Sequence, residues 1–131
     1  MADTQRPLSP HLQIYKRQVQ MMTSIVHRAT GIALAVGSLV VVAGLIHLAA
    51  GEESFNHFRS VAGSPVGMIL LLGWSWALFY HLCNGIRHLI QDAGVGYEIP
   101  QFVRSSWLSV AGSIVLTALV WAYVLMQGGA A

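Results

Sequence analysis

Three long stretches of this chain carry no formal charge, and that constrains its fold more than any other feature. Between Arg28 and Glu52 lie 23 residues without an Asp, Glu, Lys or Arg. Between Arg59 and Arg87, and again after Arg104, there is none either. About 20 predominantly apolar residues in a helix cross a hydrocarbon core of ~30 Å. Inside lipid, a lone segment can bond all its backbone polar groups only as a helix. Charged residues make up 9% of the chain and hydrophobic ones 55%, whereas a soluble domain carries about a quarter charged residues. The expected fold is therefore an all-α membrane protein with transmembrane helices at about 26–50, 66–90 and 105–126. These form one domain over 1–131, with 1–23 as a polar N-terminal segment.

The connections are read from breakers and charge. Pro7 and Pro10 keep the start of the chain non-helical. Residues 51–65, with Glu52, Glu53 and Arg59, are expected as a polar loop. In 91–104, Gly94, Gly96 and Pro100 are expected to stop one helix before the next begins. Gly31, Ala35, Gly37, Ser38 and Gly44 give the first helix small faces for close packing. Trp107, Trp121 and Tyr123 lie near the ends of the third, where interface anchors sit.

Six of the seven Lys and Arg residues lie in the N-terminal part (Arg28 included) and around the 91–104 loop, counting Arg87 at its edge. The positive-inside rule puts both on the cytoplasmic side. The first apolar run starts too late for a secretory signal, so an uncleaved first span is expected, and nothing before Arg6 reads as a mitochondrial transit peptide. A multi-pass protein of a bacterial cytoplasmic membrane is expected, ahead of the mitochondrial inner membrane. A net charge of +2 with no basic run points away from nucleic acid. Cys83 is the single cysteine, which excludes an intrachain disulfide, and no Cys-x-x-Cys-His exists for covalent haem attachment.

Chemistry is concentrated at His81-Leu-Cys-Asn-Gly-Ile-Arg-His-Leu-Ile-Gln-Asp92. His81 and His88 are seven residues apart, close to two turns, and so share a helix face about 10 Å apart. Asn84 and Gly85 lie on or beside that face. An ionisable side chain at membrane depth is costly and marks a functional site by default. His81 is either hydrogen-bonded to a neighbouring helix or the axial ligand of a haem iron. Gly85, one turn on, is either ordinary close packing or room for a porphyrin. Arg87, His88, His27 and Arg28 all fall at the inner ends of their helices, where they would meet haem propionates or lipid headgroups.

A second axial histidine would have to sit at the depth of His81. Counted from the expected span ends, that depth is near Ala35–Ser38 on the first helix and near Ile114 on the third, and no histidine is there. His47 is at the far end of the first helix, and His11 and His57 lie outside the spans. A six-coordinate haem thus needs a ligand from another chain. Ser24 and Arg28, at i and i+4, place a hydroxyl and a guanidinium on one helix face. That pair suits a quinone, whose carbonyl oxygens gain negative charge on reduction. It also suits a helix start beside a lipid phosphate. A small transporter using His81 and Arg28 as a proton or ion path, and a purely structural anchor, are the rival readings.

Two motifs in order, Arg6-Pro-Leu-Ser-Pro-His-Leu-Gln-Ile-Tyr15 with Ser24-Ile-Val-His-Arg-Ala-Thr-Gly31, and His81-x-x-x-Gly-Ile-Arg-His88 with Asp92, resemble the cytochrome b membrane-anchor subunit of succinate dehydrogenase (respiratory complex II). The resemblance covers almost the whole chain. It implies three transmembrane helices packed with a second, similar anchor subunit, and soluble flavoprotein and iron–sulfur partners on the inner face. Succinate is then oxidised at the flavin and ubiquinone reduced at the membrane surface. Some relatives differ in haem count or quinone type. Under the resemblance His81 is the axial ligand of a haem b whose other ligand comes from the second anchor. His27, Arg28 and His88 are then on the propionate side, Ser24 and Arg28 contact the quinone, and Ile25 lines its apolar pocket. The chain would hold no complete active site of its own.

Overall fold

The computed structural model describes residues 18–128. The N-terminal motif from Arg6 to Tyr15 lies outside the described residues. Four helices follow in order: α1 (Val19–Ala49), α2 (Glu52–Ala62), α3 (Pro65–Asp92) and α4 (Ile99–Gly128). Three of them, α1, α3 and α4, are long and apolar enough to cross a membrane. α3 is central: it packs on α1 along one side and on α4 along the other, while the α1–α4 contact is smaller.

α2 replaces the loop expected at 51–65. Its charges follow helix rules: Glu52 and Glu53 stand in the first turn and Arg59 in the last, each complementing the nearby end of the helix dipole. Phe55 and Phe58, at i and i+3, give it a half-buried face, and Phe58 rests over Gly44 of α1. It is a short amphipathic helix rather than a span. Gly51, at φ +116°, makes the turn between α1 and α2, a backbone conformation that side chains disfavour.

α3 starts on a sequence-coded cap. The Ser64 hydroxyl accepts from the Gly67 N–H (3.2 Å), and Pro65 fills the first helical position. It ends with Gly94 at φ +84°, whose neighbour Val95 donates its N–H back to the Ile90 carbonyl (3.3 Å). α4 begins at Ile99, ahead of Pro100, although Pro100 was expected to lie in the connection. The first turn of a helix leaves its N–H groups unbonded, so a proline there breaks nothing. The Glu98 carbonyl accepts the first helical bond, from Phe102 N–H (2.8 Å).

The interior is polar and the surface apolar. Among the described residues the buried apolar side chains are Ala77 and Tyr80. The buried polar ones are Thr23, Thr30, Asn84, Arg87, Gln91, Ser106, Ser109, Ser113 and Thr117. Ser106, Ser109, Ser113 and Thr117 form a stripe along α4, and each donates its hydroxyl to a carbonyl three or four residues back. Small, internally bonded side chains let α3 and α4 approach closely without an orphaned hydroxyl. Ile32, Leu39, Leu70 and Leu119 face outward, as a lipid solvent requires.

Candidate functional site

The site is built where the N-terminal half of α1 and the C-terminal half of α3 meet. His81 Nδ1 lies 3.2 Å from the His27 carbonyl oxygen and 3.3 Å from Thr30 Oγ1. The Thr30 hydroxyl donates to that same carbonyl (2.9 Å). A carbonyl can only accept, so Nδ1 carries the ring proton. Nε2 is then the nitrogen with a free lone pair, the one a metal would take. A glycine permits this approach: a Cβ on Gly31 would sit 3.1 Å from His81 Cε1. At Gly85, read from the sequence as either close packing or room for a porphyrin, a Cβ would meet His27 Cε1 at an ordinary 3.9 Å. The tight approach is therefore on α1 rather than α3.

The His27 ring stacks on His81, with centroids 3.9 Å apart and planes at 11°. The His88 ring is tilted against His27, 5.1 Å away at 54°. Asn84, fully buried, joins this group to Arg87. Arg87 can only donate, so the Asn84 oxygen accepts from Nη1 (3.3 Å) and its nitrogen donates to His88 Nε2 (3.2 Å). His27 Nδ1 is buried without a partner among the described residues. Three imidazoles thus touch, but no group of three or more ligating side chains among the described residues could hold a metal ion together. The arrangement offers single lone pairs, as an axial ligand does.

The depth expected on α1 needs correction. The residues level with His81 are His27 to Gly31, not Ala35–Ser38. α1 has 31 residues and begins at Val19, so it exceeds the hydrocarbon core, and counting from an assumed membrane boundary misplaces it by about two turns. On α4 the level falls at Gly112, against which Cys83 packs, close to the expected Ile114. A histidine is therefore level with His81 after all. Two rings stacked face to face at 3.9 Å, however, leave no gap for a porphyrin between them. His27 flanks His81 instead of opposing it.

Arg87 is the second correction. It was expected at the same depth as His27, Arg28 and His88, with no face assigned to it. Its guanidinium turns to the other side of α3, where Nε donates to Ser105 Oγ (3.0 Å) and the group lies over the Phe102 ring (4.2 Å). It reaches the histidines only through Asn84. A one-residue step along a helix rotates a side chain by about 100°, so neighbours Arg87 and His88 cannot share a face.

Ser24, Ile25 and Arg28 lie near the N-terminal end of α1. Ser24 is half-buried, while Ile25 (52% exposed) and Arg28 open outward from the three helices. The chain brings His27, His81 and His88 together, and it leaves Ile25 and Arg28 facing whatever lies beside it.

A model of the succinate dehydrogenase/fumarate reductase transmembrane subunit matches residues 2–120. The chain belongs to that family. Among curated relatives, the succinate dehydrogenase cytochrome b556 subunit of Paracoccus denitrificans is 44% identical over 91% of this chain and 94% of its own length. The subunit of the same description from Rickettsia conorii is 42% identical over 88% and 90%. The mitochondrial cytochrome b560 subunit of Sus scrofa is 41% identical over 87% of this chain and 71% of its own.

Within this family member, sequence reasoning overlooked the groups that aim the histidines. Thr30 and the His27 carbonyl orient His81, and Gly31 admits it. Tyr80, 2% exposed, donates its hydroxyl to the Thr23 carbonyl (3.0 Å) and ties α3 to α1 one turn from the site. A tyrosine hydroxyl in an apolar helix must find an acceptor, and that was the available signal.

Proposed function

We propose that the chain is the haem b-carrying cytochrome b anchor of a succinate dehydrogenase in a bacterial cytoplasmic membrane, and that its inner end forms part of the site where ubiquinone is reduced. The observation that carries this reading is the 3.2 Å contact of His81 Nδ1 with the His27 carbonyl, which can only accept. Nδ1–H is committed to α1, and Nε2 is left for an iron.

The residues fit the group. Gly31 supplies clearance at His81. His27, with an unpartnered buried Nδ1, supplies a polar atom for a propionate, and His88 and Arg28 stand at the same end. When bound, the haem supplies one-electron redox capacity. The other axial ligand is assigned to a second anchor subunit, because His27 flanks His81 rather than opposing it. Ser24 and Arg28 are assigned to the quinone. Arg28 puts a fixed cation where the carbonyl oxygens gain charge, Ser24 donates a hydrogen bond, and Ile25 keeps the pocket apolar. Their outward orientation leaves room for a partner surface to complete the site. Flavoprotein and iron–sulfur subunits dock on the cytoplasmic side and deliver electrons there.

The test is purification from mild detergent through a tag on this chain. A flavoprotein, an iron–sulfur protein and a second small membrane chain should co-purify with succinate–quinone reductase activity. A tagged chain that purifies alone, or with partners lacking flavin and iron–sulfur centres, contradicts the proposal.

A further inference from the structure

Asn84 is the most deeply buried polar side chain of α3, and the haem reading gives it no role. A buried amide costs free energy unless its polar atoms are bonded. Both ends of this one are used. Oδ1 accepts from Arg87 Nη1 (3.3 Å), and Nδ2 lies 3.2 Å from His88 Nε2. The spacings are i+3 and i+4, so one side chain reaches both neighbours from the preceding turn. Satisfying the guanidinium does not account for this placement. Arg87 is held independently, with Nε on Ser105 and its plane over Phe102. Its Nη2 stays without a partner among the described residues even with Asn84 in place.

The guanidinium sets the direction of both bonds, because it can only donate. It takes the amide oxygen, so the amide turns its N–H group to His88. His88 Nε2 then accepts, and the ring proton sits on Nδ1. Nδ1 makes no hydrogen bond among the described residues and is not sealed from its surroundings. The ring that carries it stands 5.1 Å from that of His27, whose own Nδ1 is buried without a partner. A bond chain that starts at a cation polarises each later member, which strengthens the last donor.

We infer that Asn84, backed by Arg87, is a positioning residue that turns His88 so that Nδ1–H is offered to a carboxylate of the bound haem. This rests on the haem-anchor reading and names the residues that would orient its propionate partner. The opposite tautomer would present a lone pair to the carboxylate and repel it.

The experiment uses the purified complex carrying its haem. Two quantities are followed: haem retained through repeated detergent washing, and the haem midpoint potential. Asn84→Leu keeps the volume and removes both bonds. It should lower retention about tenfold, the lower end of what the loss of a supporting partner costs. The midpoint potential should fall too, because a carboxylate that loses a donor keeps more negative charge near the iron and favours its oxidised form. His88→Phe should act in the same direction. The double variant should be no worse than His88→Phe alone, since the two residues act as one unit. If Asn84→Leu does not assemble, Asn84→Ser takes its place in the comparison. Its hydroxyl can bond its own helix, as those of α4 do, but is too short to reach His88. Wild-type retention and potential in the Asn84 variant or in His88→Phe, or losses that add in the double variant, overturn the inference while the haem-anchor reading stands. Absence of a haem band from wild type overturns both.

Discussion

The two ends of α1, one packed on α3 and the other on α2, put the same residue types to opposite uses. At the C-terminal end of α1 His47 Nδ1 and Ser54 Oγ are 2.8 Å apart, and the His47 ring stacks on Phe58 with centroids 5.4 Å apart. Phe58 in turn covers Gly44, and Trp74 covers Gly37. That histidine is satisfied by its own chain. At the N-terminal end of α1 His81 is also anchored through Nδ1, but to a backbone carbonyl, and His27 Nδ1 finds no partner among the described residues. A histidine in a membrane helix is therefore not informative by itself. What separates the two is the kind of partner: a carbonyl can only accept and commits His81 Nδ1 as the donor, whereas the Ser54 hydroxyl can donate or accept and leaves the His47 tautomer open.

Substitutions can break or sharpen this contrast. The largest effect is expected at Gly31, where even a Cβ would press on His81. Gly31→Val should displace the ring and remove most of the haem from the purified complex, whereas Gly85→Ala, with 3.9 Å of room, should keep it. Equal haem content in the two variants would show that the close approach on α1 does not matter. Arg28→Leu comes next. Removing a preorganised donor from a site of developing charge costs about a hundredfold in rate. Quinone reduction should fall by that order while succinate oxidation with an artificial acceptor persists. Parallel loss of both activities would indicate failed assembly instead.

Thr30→Val should act more mildly. It keeps the shape but removes one of the two oxygens around His81 Nδ1, and loss of such a supporting partner weakens ligation roughly tenfold. Haem should wash out more readily in detergent and its midpoint potential should shift, with Thr30→Ser restoring both. An identical potential in Thr30→Val would mean that the His27 carbonyl alone orients the ring.

The three spans were legible because the absence of charge over 20 or more residues has few physical solutions. α2 was not, because an 11-residue amphipathic helix with three charges looks like a polar connection unless the Phe55–Phe58 spacing is weighed against the charges. Pro100 misled for a similar reason: a proline opens a helix as readily as it closes one. At the site, His81, His27 and His88 stood out by cost, since each must be satisfied at depth. The register between helices did not. Residue counting gave His81 the wrong neighbours on α1, because α1 extends beyond the core and only packing sets its level. Gly31 was legible as a close-packing position but not as the neighbour of His81, and Thr30 was not legible at all, because their roles depend on which ring arrives opposite them. Arg87 was assigned to a shared depth when its azimuth mattered more.

The central claim is that His81, and no other histidine of this chain, presents its free nitrogen to a haem iron. The dithionite-reduced minus oxidised optical spectrum of the purified complex tests it most directly, compared among wild type, His81→Ala and His47→Ala. A low-spin b-type band should appear in wild type, remain unchanged in His47→Ala, and be displaced or lost in His81→Ala. A wild-type band of unaltered position and amplitude in His81→Ala, or no haem band in wild type, would contradict the account.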